Sequence, residues 1–500
     1  MNRRDFFKAT GLGAAAGALT LPRWLRAAAK SAPESQHGGV PNASRPNFLF
    51  ILTDDQGWGD AAFAGHPYVK TPNLDRLAAE STWIRQFYVA NPVCSPTRCS
   101  FMTGQYPARF RIHGHFASPA QNAARDMPNR LEPSVPNVAS ILKGAGYATG
   151  HFGKWHLGMT PVNEYGFDDS ATMVSGKEGN RPLAGEEEQS KPHFWGRSTR
   201  MIVDETIGFI RKNEGRSFYV NVWTLLPHAR LDPTPEQLAV YQDAVFDPDH
   251  PSWGEWMREY FKQAQDPQQQ MRVFLASLTD LDEQVGRLLK FLDDEGLADN
   301  TVVVFASDNG PEDYHVANAA NAGVGSPGPL RARKRSLYEG GIRTFSLVRW
   351  PGRVPAGRRD EESVVGSVDF LPTVCSLAGV SLPDTVKPDG EDVSDIWMGK
   401  SRPRRRPLFW EWLFNVAGNK EYAPPPLAVR DGNWKLLFNP TGDRVELYDI
   451  PRDSAEKRNV ATDHPDVVAR LRKLGLEWQA TLPAAKPRNV STTKKPASNE

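Results

Sequence analysis

Cys94 opens the run Cys94-Ser95-Pro96-Thr97-Arg98-Cys99-Ser100-Phe101-Met102-Thr103-Gly104, whose spacing reads as the start of a helix. Pro96 falls in the first turn, where a missing N–H is tolerated. Arg98 follows Cys94 by four, so the two side chains share one helix face. Free N–H groups and the positive end of the helix dipole draw an anion to such a place. A guanidinium one turn on grips an anion with a planar fork. The chemistry is that of a reactive residue at an anion site; the plain alternative is a small buried thiol.

Oxygen ligands gather at two other points. Asp54-Asp55 follow the apolar run 48–52, and Asp308-Asn309 follow the apolar run 301–306, each with a glycine soon after. Open α/β sheets bind ligands beyond the carboxyl ends of their strands. One such pair alone is a turn with a cap; two of them, with no accompanying zinc-type His or Cys pattern, suit a hard cation, Ca²⁺ or Mg²⁺. Gly153-Lys154-Trp155-His156-Leu157-Gly158 offers Lys154 and His156 two apart, on one side of an extended segment, where both can meet one anion. The basic run Arg331-Ala332-Arg333-Lys334-Arg335 either faces solvent or reaches into an anion site.

The elements that must hold these residues read as alternating strands and helices. Runs 48–52 and 301–306 are continuously apolar, as strands buried on both faces are. Further strands are expected at 147–152, 218–224 and 345–350. Helices are expected at 73–80, 135–143 (opened by Pro136), 199–212 (capped by Ser198), 270–294 and 369–377. Residues 229–270 read as irregular, with Trp253, Trp256, Tyr260 and Phe261 either lining a sugar surface or packing over the core. Short strands at 408–412, 427–430, 434–438 and 446–448, then a helix at 467–478, form a small terminal layer. The expected class is α/β: a large, mostly parallel central sheet sandwiched by helices, with a smaller C-terminal antiparallel sheet plus helix.

With 60 basic and 59 acidic residues, the chain carries no bulk field for nucleic acid, and three cysteines make no disulfide framework. Asn2-Arg3-Arg4-Asp5-Phe6-Phe7-Lys8, a weakly apolar run over 9–21 and Ala27-Ala28-Ala29 resemble a twin-arginine signal. That run is too short and too rich in Gly and Ala to cross a membrane, so no transmembrane segment is expected. The expected location is exported, bacterial periplasmic or secreted, with the twin-arginine machinery as a partner. The expected organisation is a signal over 1–30, a linker over 31–45, a catalytic domain over 46–400, a C-terminal subdomain over 401–484 and a disordered tail over 485–500.

Taken together, Cys94-Ser95-Pro96-Thr97-Arg98 with Thr103-Gly104, Leu52-Thr53-Asp54-Asp55, 153–158, Pro227-His228, Ser307-Asp308-Asn309-Gly310, Tyr338-Glu339-Gly340-Gly341, 428–435 and Glu446-Leu447-Tyr448-Asp449 form one ordered set. This set, over roughly 46–482, resembles the formylglycine-dependent (type I) sulfatases of the alkaline phosphatase superfamily, arylsulfatases and N-acetylgalactosamine-6-sulfatases among them. The resemblance implies that a maturation enzyme oxidises Cys94 to formylglycine, whose hydrate attacks sulfur with one hydroxyl and expels sulfate with the other. It implies calcium, or magnesium, held by Asp54, Asp55, Asp308, Asn309 and an oxygen of modified Cys94. Arg98 and Lys154 would position formylglycine and bind sulfate, His156 would assist its hydroxyls, and His228 and Lys334 would face the sulfate and its leaving oxygen. Ala229-Arg230 departs from the proline common after the Pro-His pair, Lys334 is flanked by Arg333 and Arg335, and Cys99 reads as a buried thiol.

The implied substrate is a sulfated sugar or polysaccharide-derived oligosaccharide. Arg331, Arg333 and Arg335, with His113 and His115, are expected to contact its further acidic groups. A phosphonate or phosphodiester hydrolase with the same formylglycine chemistry, or an inactive protein that binds sulfated glycans, are the alternatives.

Overall fold

Strand β1 (Asn47–Thr53) is buried at every residue, and its alternation serves two cores. Phe48, Phe50 and Leu52 join one apolar cluster, and Leu49 and Ile51 the other, on the opposite face of the sheet. That is why the run is apolar throughout rather than at every second residue. The computed structural model describes residues 45–173, 180–228, 230–316, 319–414 and 422–484. The expected signal segment, linker 31–44 and tail 485–500 lie outside the described residues, as does Ala229.

The other strands of the large sheet are β2 (Thr82–Tyr88), β3 (Ala148–Gly153), β4 (Asp169–Thr172), β5 (Phe218–Trp223), β6 (Thr301–Ser307), β7 (Arg343–Arg349) and β8 (Arg358–Gly366). They run in the order β4-β3-β5-β1-β6-β7-β2-β8. The pairs around β1 are parallel, and β7 is antiparallel to both of its neighbours. The expected mostly parallel α/β sheet is therefore present. Edge strands β4 and β8 and the inner β2 were not read from the sequence: β8 carries the charges of Arg359, Glu361 and Glu362 on an exposed side, and Arg85 interrupts β2.

Helices close both faces. The 28-residue helix Pro267–Asp294 sends Leu278, Leu281, Val285, Leu288 and Leu292 into the cluster that holds Leu49 and Ile51. On the other face the Phe50 ring lies 4.9 Å from Phe101 and 4.3 Å from Phe370, centroid to centroid. A second sheet, β9 (Leu408–Glu411), β10 (Leu427–Asp431), β11 (Trp434–Phe438) and β12 (Val445–Asp449), is antiparallel and covered by the helix Pro465–Ala480. Its Trp410, Val429, Leu436 and Leu447 belong to the same buried cluster as Phe50.

Local chemistry changes three of the expected readings. The helix expected from 135 starts at Val138, because the Asn137 side chain accepts the Ala139 and Ser140 N–H groups as its cap. Ser198 is the first helical residue rather than a cap, and its hydroxyl donates to the Trp195 carbonyl. The segment read as irregular contains helices Pro235–Ala239 and Glu255–Gln263, and Trp253, Trp256 and Tyr260 are buried as packing rather than presented to a sugar.

Register brings the chemistry level. Thr53 pairs with Ser307, while Leu52 and Gly153 both pair with Trp223. The next residues on three strands, Asp54, Asp308 and Lys154, therefore leave the sheet side by side. Gly153 makes this exit possible: its φ is +113°, and a Cβ there would lie 1.9 Å from the Trp223 carbonyl oxygen, which accepts the Lys154 N–H at 2.9 Å. Gly153→Ala should destabilise the fold by about 3 kcal/mol or more, read as a fall in the denaturation midpoint, because both the dihedral and the contact must give.

Candidate active site

The helix Cys94–Thr103 starts directly after extended Val93 and is buried along its whole length. Arg98, one turn after Cys94, is fully enclosed. Its Nε and Nη2 donate to Asp308 Oδ2 at 3.1 and 2.7 Å, and its Nη1 donates to the Lys154 carbonyl at 2.7 Å. The guanidinium lies over the Trp223 ring, 5.1 Å from its centroid. Arg98 thus braces the ends of β6 and β3 and holds the helix that carries Cys94 against them.

Asp54 and Asp55 divide their oxygens among cations. Lys154 Nζ donates to Asp54 Oδ2 at 2.5 Å, and Lys334 Nζ donates to Asp55 Oδ2 at 2.6 Å. The Asn309 amide donates to Asp55 Oδ1 at 2.7 Å, and the Asp55 N–H donates to Asp308 Oδ1 at 3.1 Å. Two buried oxygens are left without a hydrogen-bond partner: Asp54 Oδ1 and Asn309 Oδ1. Buried polar atoms are rarely orphaned unless a ligand is missing. Ligand atoms of Asp54, Cys94 and Asp308 lie within 4.8 Å of one another, and so do those of Asp54, Asp55 and His228. Carboxylate and amide oxygens suit a hard divalent cation. The Cys94 sulfur is the odd donor of the set, and an oxygen at that position would make it uniform.

Although burial works to raise it, Lys154, His228 and Arg98 hold the Asp54 carboxyl well below the usual carboxylate range. Burial and the adjacent Asp54 push Asp308 well above it, against the pull of Arg98. Carboxylates this crowded call for a bridging cation.

His156 Nδ1 is 3.2 Å from Cys94 Sγ, and its Nε2 is 3.2 Å from the Phe116 carbonyl oxygen. Burial, Lys154 and Arg98 push this imidazole down to about 3, so it is neutral at ordinary pH. A carbonyl only accepts, which puts the proton on Nε2 and leaves Nδ1 as an acceptor facing residue 94. The chain does not reach this geometry by strand alternation: His156 has φ +55°, in the left-handed region, so Lys154 turns to Asp54 while His156 turns to Cys94. Asp55, at φ +65°, turns likewise.

His228 stands 3.6 Å from Asp55 Oδ2 with about a third of its side chain exposed (33%), on the open side. Burial and Lys154 lower its proton affinity. Glu312, which nothing in the spacing singled out, lies 3.4 Å from Lys334 Nζ and bonds Arg335 with both oxygens. Its only sequence signal is position, two residues past the Asp308-Asn309-Gly310 turn.

The structure thus brings together Asp54, Asp55, Cys94, Arg98, Lys154, His156, His228, Asp308, Asn309 and Lys334. It places most of the outer set elsewhere. Arg333 is 1% exposed and both of its terminal nitrogens donate to main-chain carbonyls, of Glu312, Gly323 and Gly325, so it is held inside the protein rather than presented to a substrate. Arg331 lies over the Tyr338 ring and donates to Tyr448 Oη and the Glu456 carbonyl. Arg335 is committed to Glu312. His113 is buried 3.5 Å from Glu411, pushed down to about 4 by burial, and not on the open side. His115 stays near the centre, its ring 6.5 Å from that of His156, and Arg335 reaches it only through Glu312.

A family model described as Sulfatase matches residues 46–380, and one described as N-sulphoglucosamine sulphohydrolase, C-terminal, matches residues 332–479. N-acetylgalactosamine-6-sulfatase of Sus scrofa is 33% identical over 401 residues, 74% of this chain and 70% of the relative. Arylsulfatase A of Homo sapiens is 29% identical over 483 residues, 89% of this chain and 90% of the relative. The solved structure of Ps i-CgsB in complex with k-i-k-neocarrahexaose superposes with a TM-score of 0.69 at 24% identity, over 90% of this chain and 95% of that one.

Calcium should raise the melting temperature of the purified chain, and a chelator should reverse the rise. At a hundredfold excess over its dissociation constant the ion contributes about 2.7 kcal/mol. Asp54→Asn or Asn309→Ala should flatten this response, and a wild-type melting curve indifferent to calcium, magnesium and chelator would exclude the site. Arg333→Leu, in contrast, should lower thermal stability by about 3 kcal/mol and leave the calcium response unchanged, because its bonds are to the main chain.

Proposed function

The chain belongs to the sulfatase family and is a sulfuric ester hydrolase, and from there we propose that it removes sulfate from a sulfated sugar or a polysaccharide-derived oligosaccharide. We further propose that it does so with formylglycine made from Cys94 and with calcium, or magnesium, at Asp54, Asp55, Asp308 and Asn309. The observation that carries this reading is the pair of orphaned buried oxygens, Asp54 Oδ1 and Asn309 Oδ1, beside Cys94. Formylglycine supplies a hydrated aldehyde, which offers both a nucleophilic hydroxyl and a second one whose loss of a proton releases sulfate. The ion supplies positive charge against the ester oxygens.

The protein's own residues have separable tasks. Lys154 and Lys334 set two ammonium groups against the anion, each anchored on a carboxylate, Asp54 and Asp55. His156 Nδ1 takes a proton from the group on residue 94. His228, on the open side, gives a proton to the leaving oxygen, a form of help usually contributing about 10²–10⁴-fold. Arg98 holds Asp308 and the Lys154 main chain in register, and Glu312 holds Lys334.

Cys94 is only 2% exposed. A modifying enzyme must therefore meet it before the chain has folded, which fits a maturation enzyme acting ahead of twin-arginine export, a route for folded proteins. The export reading rests on residues 2–29. Among the described residues no helix is long and apolar enough to cross a membrane.

Mass spectrometry of the Cys94 peptide, from protein produced with a maturation enzyme, should show the thiol replaced by an aldehyde. That protein should turn over an aryl sulfate faster than the matching aryl phosphate. His228→Ala should cut kcat by about a hundredfold on a sugar sulfate and less on an aryl sulfate, whose leaving group needs less protonation. An unmodified Cys94 or faster phosphate cleavage defeats the proposal.

A further inference from the structure

Arg125 is buried, 3% exposed, yet no carboxylate lies within ion-pairing distance of it among the described residues. Its Nη1 donates to the His115 carbonyl at 2.9 Å and lies 3.4 Å from His115 Nε2. Its guanidinium sits 5.9 Å from the Phe414 ring centroid. Nε is enclosed without an acceptor, and among the described residues Nη2 has no acceptor either. A guanidinium taken from water without an anion is costly, and such an arrangement makes sense where an anion arrives with a ligand.

Its position says which ligand. His115 is one residue from Phe116, whose N–H donates to Ser95 Oγ and whose carbonyl faces His156 Nε2. The His115 ring is 6.5 Å from the His156 ring. Arg125 therefore stands outward of residue 94 along the line His156, His115: His156 meets Cys94, the His115 ring neighbours His156, and Arg125 bonds His115. Other cations nearby are already matched: Arg335 by Glu312, Lys334 by Asp55 and Glu312, Lys154 by Asp54, and Arg98 by Asp308. Burial and the neighbouring Arg335 both weaken the hold of Arg125 on its charge, and burial and Arg125 keep His115 neutral, so an anion beside the pair would favour the charge of both.

We propose that Arg125, with His115, forms a subsite for a second anionic group, carboxylate or sulfate, on the sugar whose sulfate ester lies at residue 94. This rests on the sulfatase reading and deepens it: the preferred substrate class is a sugar with two negative charges. The sequence directed attention to the run 331–335, but those residues are engaged internally, and the cation left for substrate comes from a different loop.

The test compares wild type, Arg125→Gln and Arg125→Lys on three substrates: a monosulfated neutral disaccharide, the same with a uronate, and a disulfated one. Arg125→Gln should lose about tenfold or more in kcat/KM, through KM, on at least one dianionic sugar. Its loss on the neutral sugar should be about fivefold smaller, and Arg125→Lys should recover part. Loss confined to the uronate identifies a carboxylate ligand, and loss confined to the disulfated sugar identifies a sulfate. Equal losses on all three, or none on any, overturn the subsite. If wild type cleaves no sulfate ester, the hydrolase reading fails by itself. Calorimetric binding of the same sugars to the full chain carrying Cys94→Ser then decides the subsite: tenfold weaker binding on adding Arg125→Gln upholds it, and equal binding overturns it.

Discussion

The site depends on the buried pairing of Arg98 with Asp308. Both side chains are wholly enclosed, and removing one partner of such a pair typically costs about 3–5 kcal/mol, because the other charge is left uncompensated. The pair also does the geometric work. It locks the helix that bears Cys94 to the end of β6, while the same guanidinium holds the Lys154 carbonyl at the end of β3 and covers Trp223 at the end of β5. Four elements from distant parts of the chain thereby present their functional groups to one volume.

A second constraint acts from behind. The Tyr338-Glu339-Gly340-Gly341 motif contributes no group to the reacting centre. Glu339 accepts from Tyr88 Oη at 2.7 Å and from buried Lys435 Nζ at 2.9 Å, and Lys435 also pairs with Glu456. This network ties the small sheet to the large one through a shared core. Gly310 N donates to the Gly341 carbonyl, and a Cβ at Gly310 would lie 1.8 Å from the Gly340 carbonyl oxygen. The turn after Asp308-Asn309 is thus pressed against the motif, with no room for a larger residue, and the ligand oxygens keep their direction.

The segment 331–335 shows why reading charges from sequence misassigned some roles. The backbone here is irregular, with φ of +67° at Ala332 and +70° at Arg335. Its four cations part ways: Arg331 goes to Tyr448 and the Glu456 carbonyl, Arg333 to main-chain carbonyls, Lys334 to Asp55 and Glu312, and Arg335 to Glu312. Burial requires each to find an acceptor, and each finds one within the protein. Only Lys334 meets the reacting centre. Glu312 escaped notice for the same reason: one carboxylate among 59 acidic residues becomes meaningful only when the fold sets it beside Lys334 and Arg335.

The sequence by itself determined the class of fold and pointed to the residues that the fold brings together at Cys94. Strand runs at 48–52 and 301–306 had to be buried on both faces, and residues just past such strands had to meet at the carboxyl edge. The Cys94 to Arg98 spacing likewise fixed a shared helix face. Tertiary structure decided what each charge does. Long-range register placed Asp54, Asp308 and Lys154 side by side, and left-handed turns at Asp55 and His156 aimed two of the groups. Whether an arginine is spent on a main-chain carbonyl or kept for a ligand depends on three-dimensional neighbours, and those are set by contacts far apart in sequence. Arg125 and Arg333 are chemically identical in the sequence, and only their surroundings separate them.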